Sequence, residues 1–119
     1  MASSSESDLK SAVRGLTYVS EIDAPIETIS LKHHPVTPSG LLAFGGQAAD
    51  TPIQQVSLDI FFGSQDHADI GMCRLRETID RTLTDVKAYR VGDVDVTYYV
   101  VGKTGNQRLG IRTRAVETG

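Results

Sequence analysis

The 119-residue sequence has no tryptophan and one cysteine, Cys73. A lone cysteine excludes an internal disulfide, and with it the small scaffolds that oxidised cysteines staple together. Cys73 stands beside Met72 and near Leu75, where it reads as a small packed hydrophobe. No apolar run approaches the roughly 18 residues of a membrane-spanning helix. The opening MASSSESDLK has neither the basic start nor the apolar stretch of a secretory leader. A reducing, cytoplasmic setting without membrane contact is the expectation. Positive charge is also short: 12 Lys and Arg against 15 Asp and Glu give a net charge of −3. A chain that tracks nucleic-acid phosphates is usually basic, so direct nucleic-acid binding is not expected. An acidic surface suits a basic protein partner, and it equally serves solubility.

Catalytic and metal-binding patterns are sparse as well. His33 and His34 are neighbours in an extended run, so their side chains point to opposite faces. His67 is the one other histidine, and no cysteine or carboxylate spacing completes a zinc site. FGGQAAD lacks both the Lys-Ser/Thr of a phosphate loop and the G-x-G-x-x-G pattern. Neither Ser20 nor Cys73 has an adjacent base to make it a nucleophile. Glu21 and Asp23 would need a pocket to work as general acid and base, and otherwise read as solvated loop carboxylates. A binding protein without its own cofactor is expected, not an enzyme.

What remains is the pattern of one folded domain. Residues 1–4 read as a mobile segment and 5–119 as a single domain. Ser5 and Asp8 open a helix carrying Leu9, Ala12, Val13 and Leu16, with Gly15 as its stop. TYV leads into a loop of Ser20 to Asp23 closed by Pro25, and PIETISLKHH follows as a strand with Ile29 and Leu31 inward. Pro35 and Pro38 end it, and one helical turn is expected at Leu41–Phe44. IQQVSLDIFFG fits a short strand or a short helix opened by Ser57, with the helix preferred. From Asp66 to about Leu83, Met72, Leu75, Ile79, Leu83 and Val86 step along one helical face, widened by Ile70 and Cys73. KAYRVG, DVDVTYYVVG and RLGIRTRAVE then form a three-stranded antiparallel meander turned at Gly92-Asp93 and KTGNQ. Arg112 and Arg114 share one face of the last strand, where they are solvated or pair with Asp93 or Asp95. The fold class is α+β, with helices over a mostly antiparallel sheet.

Three stretches carry more than a fold class. LKSAVRGLTYVSEIDAPIE, VSLDIFF, and VKAYRVGDVDVTYYVVGKT with GIRTRAVET occur in an order and spacing that resemble the nuclease A inhibitor family. The likeness runs over residues 8–118 and is thinnest across 36–69. It implies an α/β/α sandwich and a monomeric protein inhibitor of a sugar-non-specific DNA/RNA endonuclease. In such inhibitors a loop glutamate, here Glu21, engages an arginine cluster in place of substrate phosphate. A C-terminal threonine, here Thr118, ligates the nuclease's Mg²⁺ in the complex. Glu117 and Gly119 flank that threonine and complete the partner-binding set. A carboxylate meeting guanidinium groups forms charge-assisted hydrogen bonds, and Mg²⁺ takes hard oxygen ligands. Two departures stand out. Gly119 follows the threonine, and the tryptophan that the family uses before the long helix is missing, leaving Phe62 or His67 as its nearest substitutes. Two alternatives stay open: a non-catalytic interaction domain for a different partner, and an enzyme using Glu21, Asp23 and a histidine.

Overall fold

The computed structural model describes residues 4–32, 34–63, 65 and 69–117. Alternation of apolar side chains dictates its layering. In β6 (Asp95–Thr104), Val96, Tyr98 and Val100 point to one face and Tyr99 and Val101 to the other, and all five are buried. A strand buried on both faces needs cover on both. The five-stranded sheet has the order β3-β7-β6-β5-β4, with every neighbouring pair antiparallel. Its strands are β3 (Glu27–Ser30), β4 (Ile53–Val56), β5 (Thr84–Val91), β6 and β7 (Gln107–Val116). The expected meander is β5, β6 and β7, turned where it was placed.

The first face is covered by α1 (Ser4–Val13), α3 (Leu58–Gly63) and α4 (Ile70–Thr82). Leu9, Phe61, Phe62, Met72, Leu75 and Ile79 join Val96, Tyr98 and Val100 there in one core. The second face is covered by α2 (Pro38–Phe44), through Leu41 and Leu42 against Ile29, Leu31, Tyr89 and Tyr99. Each such fully buried apolar side chain is worth about 1.5–3 kcal/mol relative to exposure. The arrangement is a helix–sheet–helix sandwich, the α+β class expected. A separate two-stranded hairpin, β1 (Thr17–Val19) with β2 (Asp23–Pro25), lies against β7 on the first face.

Several local expectations are corrected. Helix α2 has two turns rather than one. Pro38, read as a terminator, sits in its first turn, where a missing N–H costs nothing, and Thr37 Oγ1 caps it by accepting from Gly40 N–H at 3.1 Å. The segment at 53–63 forms both candidates, β4 and then α3, with Ser57 Oγ accepting from Ile60 N–H at 3.2 Å. The long helix starts at Ile70, where the Asp69 carboxylate accepts from Met72 N–H. It stops at Thr82, because Leu83 is already extended (φ −119°, ψ 150°), so Val86 belongs to β5. Ile70 and Cys73 do not widen the buried stripe; both are exposed. At about 100° per residue, Cys73 turns away from Met72 on the side opposite Leu75, while Thr78 takes the inner position.

Arg112 is partly solvated and pairs with neither Asp93 nor Asp95. It donates to Glu27 Oε1 across the β3–β7 ladder at 2.8 Å and lies 5.7 Å from the centre of the Phe44 ring. Partial burial works against its charge, but the hydrogen bond and charge of Glu27 more than offset this, so its pKa is raised. Arg114 is exposed, opposite Thr97.

Gly110 is the tightest point of the sheet. A Cβ there would run into the Val100 carbonyl oxygen and come within 2.8 Å of the Val101 Cα. Both are backbone, so neither yields cheaply. Gly110→Ala is therefore expected to destabilise the protein by about 1–3 kcal/mol, the scale of an overpacked core. Urea unfolding followed by circular dichroism measures this as a lower midpoint at unchanged slope.

Candidate functional site

The β1–β2 hairpin is too short to hold itself, since an isolated two-stranded hairpin is marginal in water. Its register pairs Val19 with Asp23 and leaves Ser20, Glu21 and Ile22 as the loop. What holds it comes from elsewhere in the chain. Tyr18 is 1% exposed and stacks on Phe61 with ring centres 4.7 Å apart, while its hydroxyl donates to the Phe61 carbonyl at 2.9 Å. The amide of buried Gln65 acts as a substitute strand. Its Oε1 accepts from Val19 N–H at 2.8 Å, and its Nε2 donates to Val19 O at 2.9 Å. Thr113 Oγ1 on β7 donates to Pro25 O at 2.9 Å and ties down the far strand.

The loop is shaped by Ser20. Its backbone N–H donates to Ile22 O at 2.9 Å, and its hydroxyl donates to the same oxygen at 3.0 Å. The same Ser20 Oγ accepts from Val116 N–H at 3.1 Å. The Glu21 loop is thus hydrogen-bonded to the end of β7. Glu21 itself is exposed on the tip, beside that strand end.

The last described residue, Glu117, continues the sheet by one bond, its N–H donating to Val94 O at 2.9 Å. Its carboxylate faces inward along the sheet. Oε1 accepts from Arg90 Nε at 2.9 Å and lies 2.8 Å from Arg90 Nη2, and Oε2 accepts from the Tyr98 hydroxyl at 2.8 Å. Arg90 also donates to the carbonyls of Gly92 and Asp93, each at 2.9 Å. Gly92 turns the chain there at φ +101°, a conformation L side chains rarely adopt. Burial, then the neighbouring Glu117 carboxylate, push the Tyr98 hydroxyl pKa up. Burial opposes the charge on Arg90, but the hydrogen bond and charge of Glu117 outweigh it, and its pKa is raised. Thr118 and Gly119, expected in the same site, lie outside the described residues.

Exposed large apolar side chains gather at this end. Val19 (56%), Ile22 (38%) and Val94 (48%) flank the loop and the exit of β7. Val19 and Ile22 border Ser20 and Glu21, and Val94 supplies the carbonyl that holds Glu117.

The other candidates do not complete an acid–base set. Asp23 is exposed at the start of β2, at the edge of the Glu21 loop. His34 packs edge-on against Phe44, on the α2 side of the sheet and away from the hairpin, so it cannot join Glu21 and Asp23 as an acid–base set. His33 and His67 lie outside the described residues. Among the described residues no group of three or more His, Cys, Asp and Glu is placed to hold a metal ion. Phe62 does not stand in for a presented tryptophan. It is buried, with the Arg76 guanidinium 5.4 Å from its ring centre, at the wall of a cleft of about 270 Å³ shared with Met72, Cys73 and Asp59. Four residues that build the site were not singled out from sequence: Gln65, Arg90 and Tyr98 had no role assigned, and Ser20 was considered only as a nucleophile. Arg90 alone carries a signal, a charge between Tyr89 and Val91 next to the Gly92-Asp93 turn.

A comparison with family models matches residues 4–118 to the Nuclease A inhibitor-like protein family (NuiA). A comparison with curated proteins finds no match. No helix among the described residues is long and apolar enough to cross a membrane.

Proposed function

Because this chain belongs to the nuclease A inhibitor-like family, we propose that it is a non-catalytic inhibitor that closes the active site of a Mg²⁺-dependent, sugar-non-specific DNA/RNA endonuclease. Glu21 takes the place of substrate phosphate before an arginine cluster. The chain leaving β7 carries Thr118 towards the nuclease's Mg²⁺, where its hydroxyl replaces an exchangeable water. Gly119 follows it in sequence, and the metal belongs to the partner. The inhibitor brings no cofactor of its own. It acts as a monomer in a reducing cytoplasm, where its one cysteine is stable as a thiol.

The observation that carries this reading is the bond from Val116 N–H to Ser20 Oγ. The two proposed contacts are 97 residues apart in sequence (118 − 21). Yet the loop holding the first is hydrogen-bonded to the strand leading to the second. A docking end assembled before binding loses less conformational entropy on association. The net charge of −3 supports the encounter with a basic cleft.

The test is titration of a sugar-non-specific endonuclease, in Mg²⁺ buffer, with this protein. Stoichiometric loss of plasmid cleavage is expected. Full activity at micromolar inhibitor overturns the reading. The missing tryptophan and the added Gly119 favour a second reading, an interaction domain for another partner on the same fold. In that case partner binding survives both Glu21→Ala and removal of Thr118-Gly119.

A further inference from the structure

Glu117 stands beside the docking end, but its carboxylate is already engaged. Arg90 Nε and the Tyr98 hydroxyl donate to it at 2.9 and 2.8 Å, and Arg90 Nη2 pairs with it at 2.8 Å. Arg90 and Tyr98 are direct cross-strand partners on β5 and β6, so their side chains share one face. The Arg90 fork spans three elements at once: its own strand, the Gly92-Asp93 turn and Glu117. Its side chain is 21% exposed and that of Glu117 37%, so water competes only partly for these bonds. Charge-assisted hydrogen bonds in such a setting are stronger and more directional than those of exposed pairs. On the opposite side, Val116 N–H is taken by Ser20 of the Glu21 loop. The end of β7 is therefore gripped from two directions.

We infer that Arg90, Tyr98 and Glu117 form a clasp that fixes where and in which direction the chain leaves β7, making Glu117 a positioning residue for the docking end instead of a contact with the partner. This inference rests on the inhibitor reading. The physical need is plain: a hydroxyl aimed at a metal must arrive within a few tenths of an ångström, and sites held loosely by about 1 Å fail. β7 ends at Val116, where its ladder with β6 stops opposite Asp95. Beyond that point Glu117 N–H donates to the Val94 carbonyl, and the clasp adds its hold on the side chain. Each member is needed in its own form. Lysine at position 90 would lose the fork that reaches two carbonyls and a carboxylate together. Phenylalanine at 98 would keep the packing and lose the donor.

The experiment compares Tyr98→Phe, Arg90→Gln and Glu117→Ala with the unchanged protein. Two readouts are taken: amide hydrogen exchange at Val116 and Glu117, without nuclease, and the inhibition constant against a sugar-non-specific endonuclease. All three variants are expected to speed Glu117 exchange about tenfold and to weaken inhibition about tenfold. Combining Tyr98→Phe with Glu117→Ala adds little, because both open the same clasp. If Glu117→Ala weakens inhibition while Tyr98→Phe and Arg90→Gln inhibit as well as the unchanged protein, Glu117 is a direct contact and the inference is overturned. Unchanged exchange at Glu117 in all three variants overturns it equally. If the unchanged protein does not inhibit, the inhibitor reading fails instead, and the exchange data still decide whether the clasp holds the strand end.

Discussion

Glu21→Ala is expected to raise the inhibition constant by about thirtyfold or more, the scale of an interface hot spot. The side chain is exposed at the apex of a loop shaped by Ser20. Unfolding midpoints measured beside the inhibition constants separate lost contact from lost fold. Glu21→Gln distinguishes charge from shape. It keeps one carbonyl acceptor but cannot offer two equivalent oxygens to a guanidinium fork, and is expected to lose nearly as much. Asp23→Ala is the internal control. Asp23 is also exposed and acidic, yet it points from the strand and not from the tip. A loss below about threefold there, with a large loss at Glu21, marks a specific contact over general steering, which salt would screen. Equal losses at both positions would reduce the role of Glu21 to net charge.

Tyr18→Ala is expected to have the largest effect on stability, about 3–5 kcal/mol, as for other buried aromatics cut to alanine. Three things are lost together. The ring leaves its stack on Phe61 at 4.7 Å and its tilted contact with Tyr98 at 5.6 Å, and the Phe61 carbonyl loses its 2.9 Å donor. Tyr18→Phe isolates the last of these at about 1 kcal/mol. Urea midpoints of the two variants give the split. The change also reaches the docking end, because Tyr18 is the inward anchor of the strand that leads to Ser20 and Glu21. At temperatures where the variant remains folded, it is expected still to inhibit more weakly than the unchanged protein. A Tyr18→Ala protein that unfolds at the unchanged midpoint would contradict the account of the hairpin as a flap pinned by this ring.

Much of this architecture is legible in the chain because it rests on short-range periodicity. Met72, Leu75 and Ile79 mark a helix face, and the alternation through Val96–Val101 marks a strand buried on both sides. The chain is ambiguous where a local rule has two outcomes. Pro38 can end one element or begin the next, and the Thr37 cap decides for the second. Ser57 separates a strand from a helix, so the two competing periods at 53–63 are both real. Composition places Cys73 inward, whereas the helical angle turns it out. The docking end is different in kind. The resemblance points to Glu21, but its loop is held by bonds that span 46 residues from Val19 to Gln65 and 96 from Ser20 to Val116, and the Arg90–Glu117 bond spans 27. No periodic pattern encodes contacts of that span; only the closed sheet brings them together.

The place of β7 in the sheet has a consequence for time as well as for shape. β7 lies between β3 and β6, and Glu27 meets Arg112 across 85 residues of intervening chain. Closing so long a loop is entropically expensive before any contact rewards it, and folds dominated by such pairings mature in milliseconds to seconds rather than microseconds. β6 and β7 are joined by a two-residue turn, so their pairing is local, and the long closure is the docking of β3 and the β1–β2 hairpin onto β7. The bond from Val116 N–H to Ser20 Oγ belongs to that long-range closure, so the docking end is complete only once the first third of the chain has met the last strand.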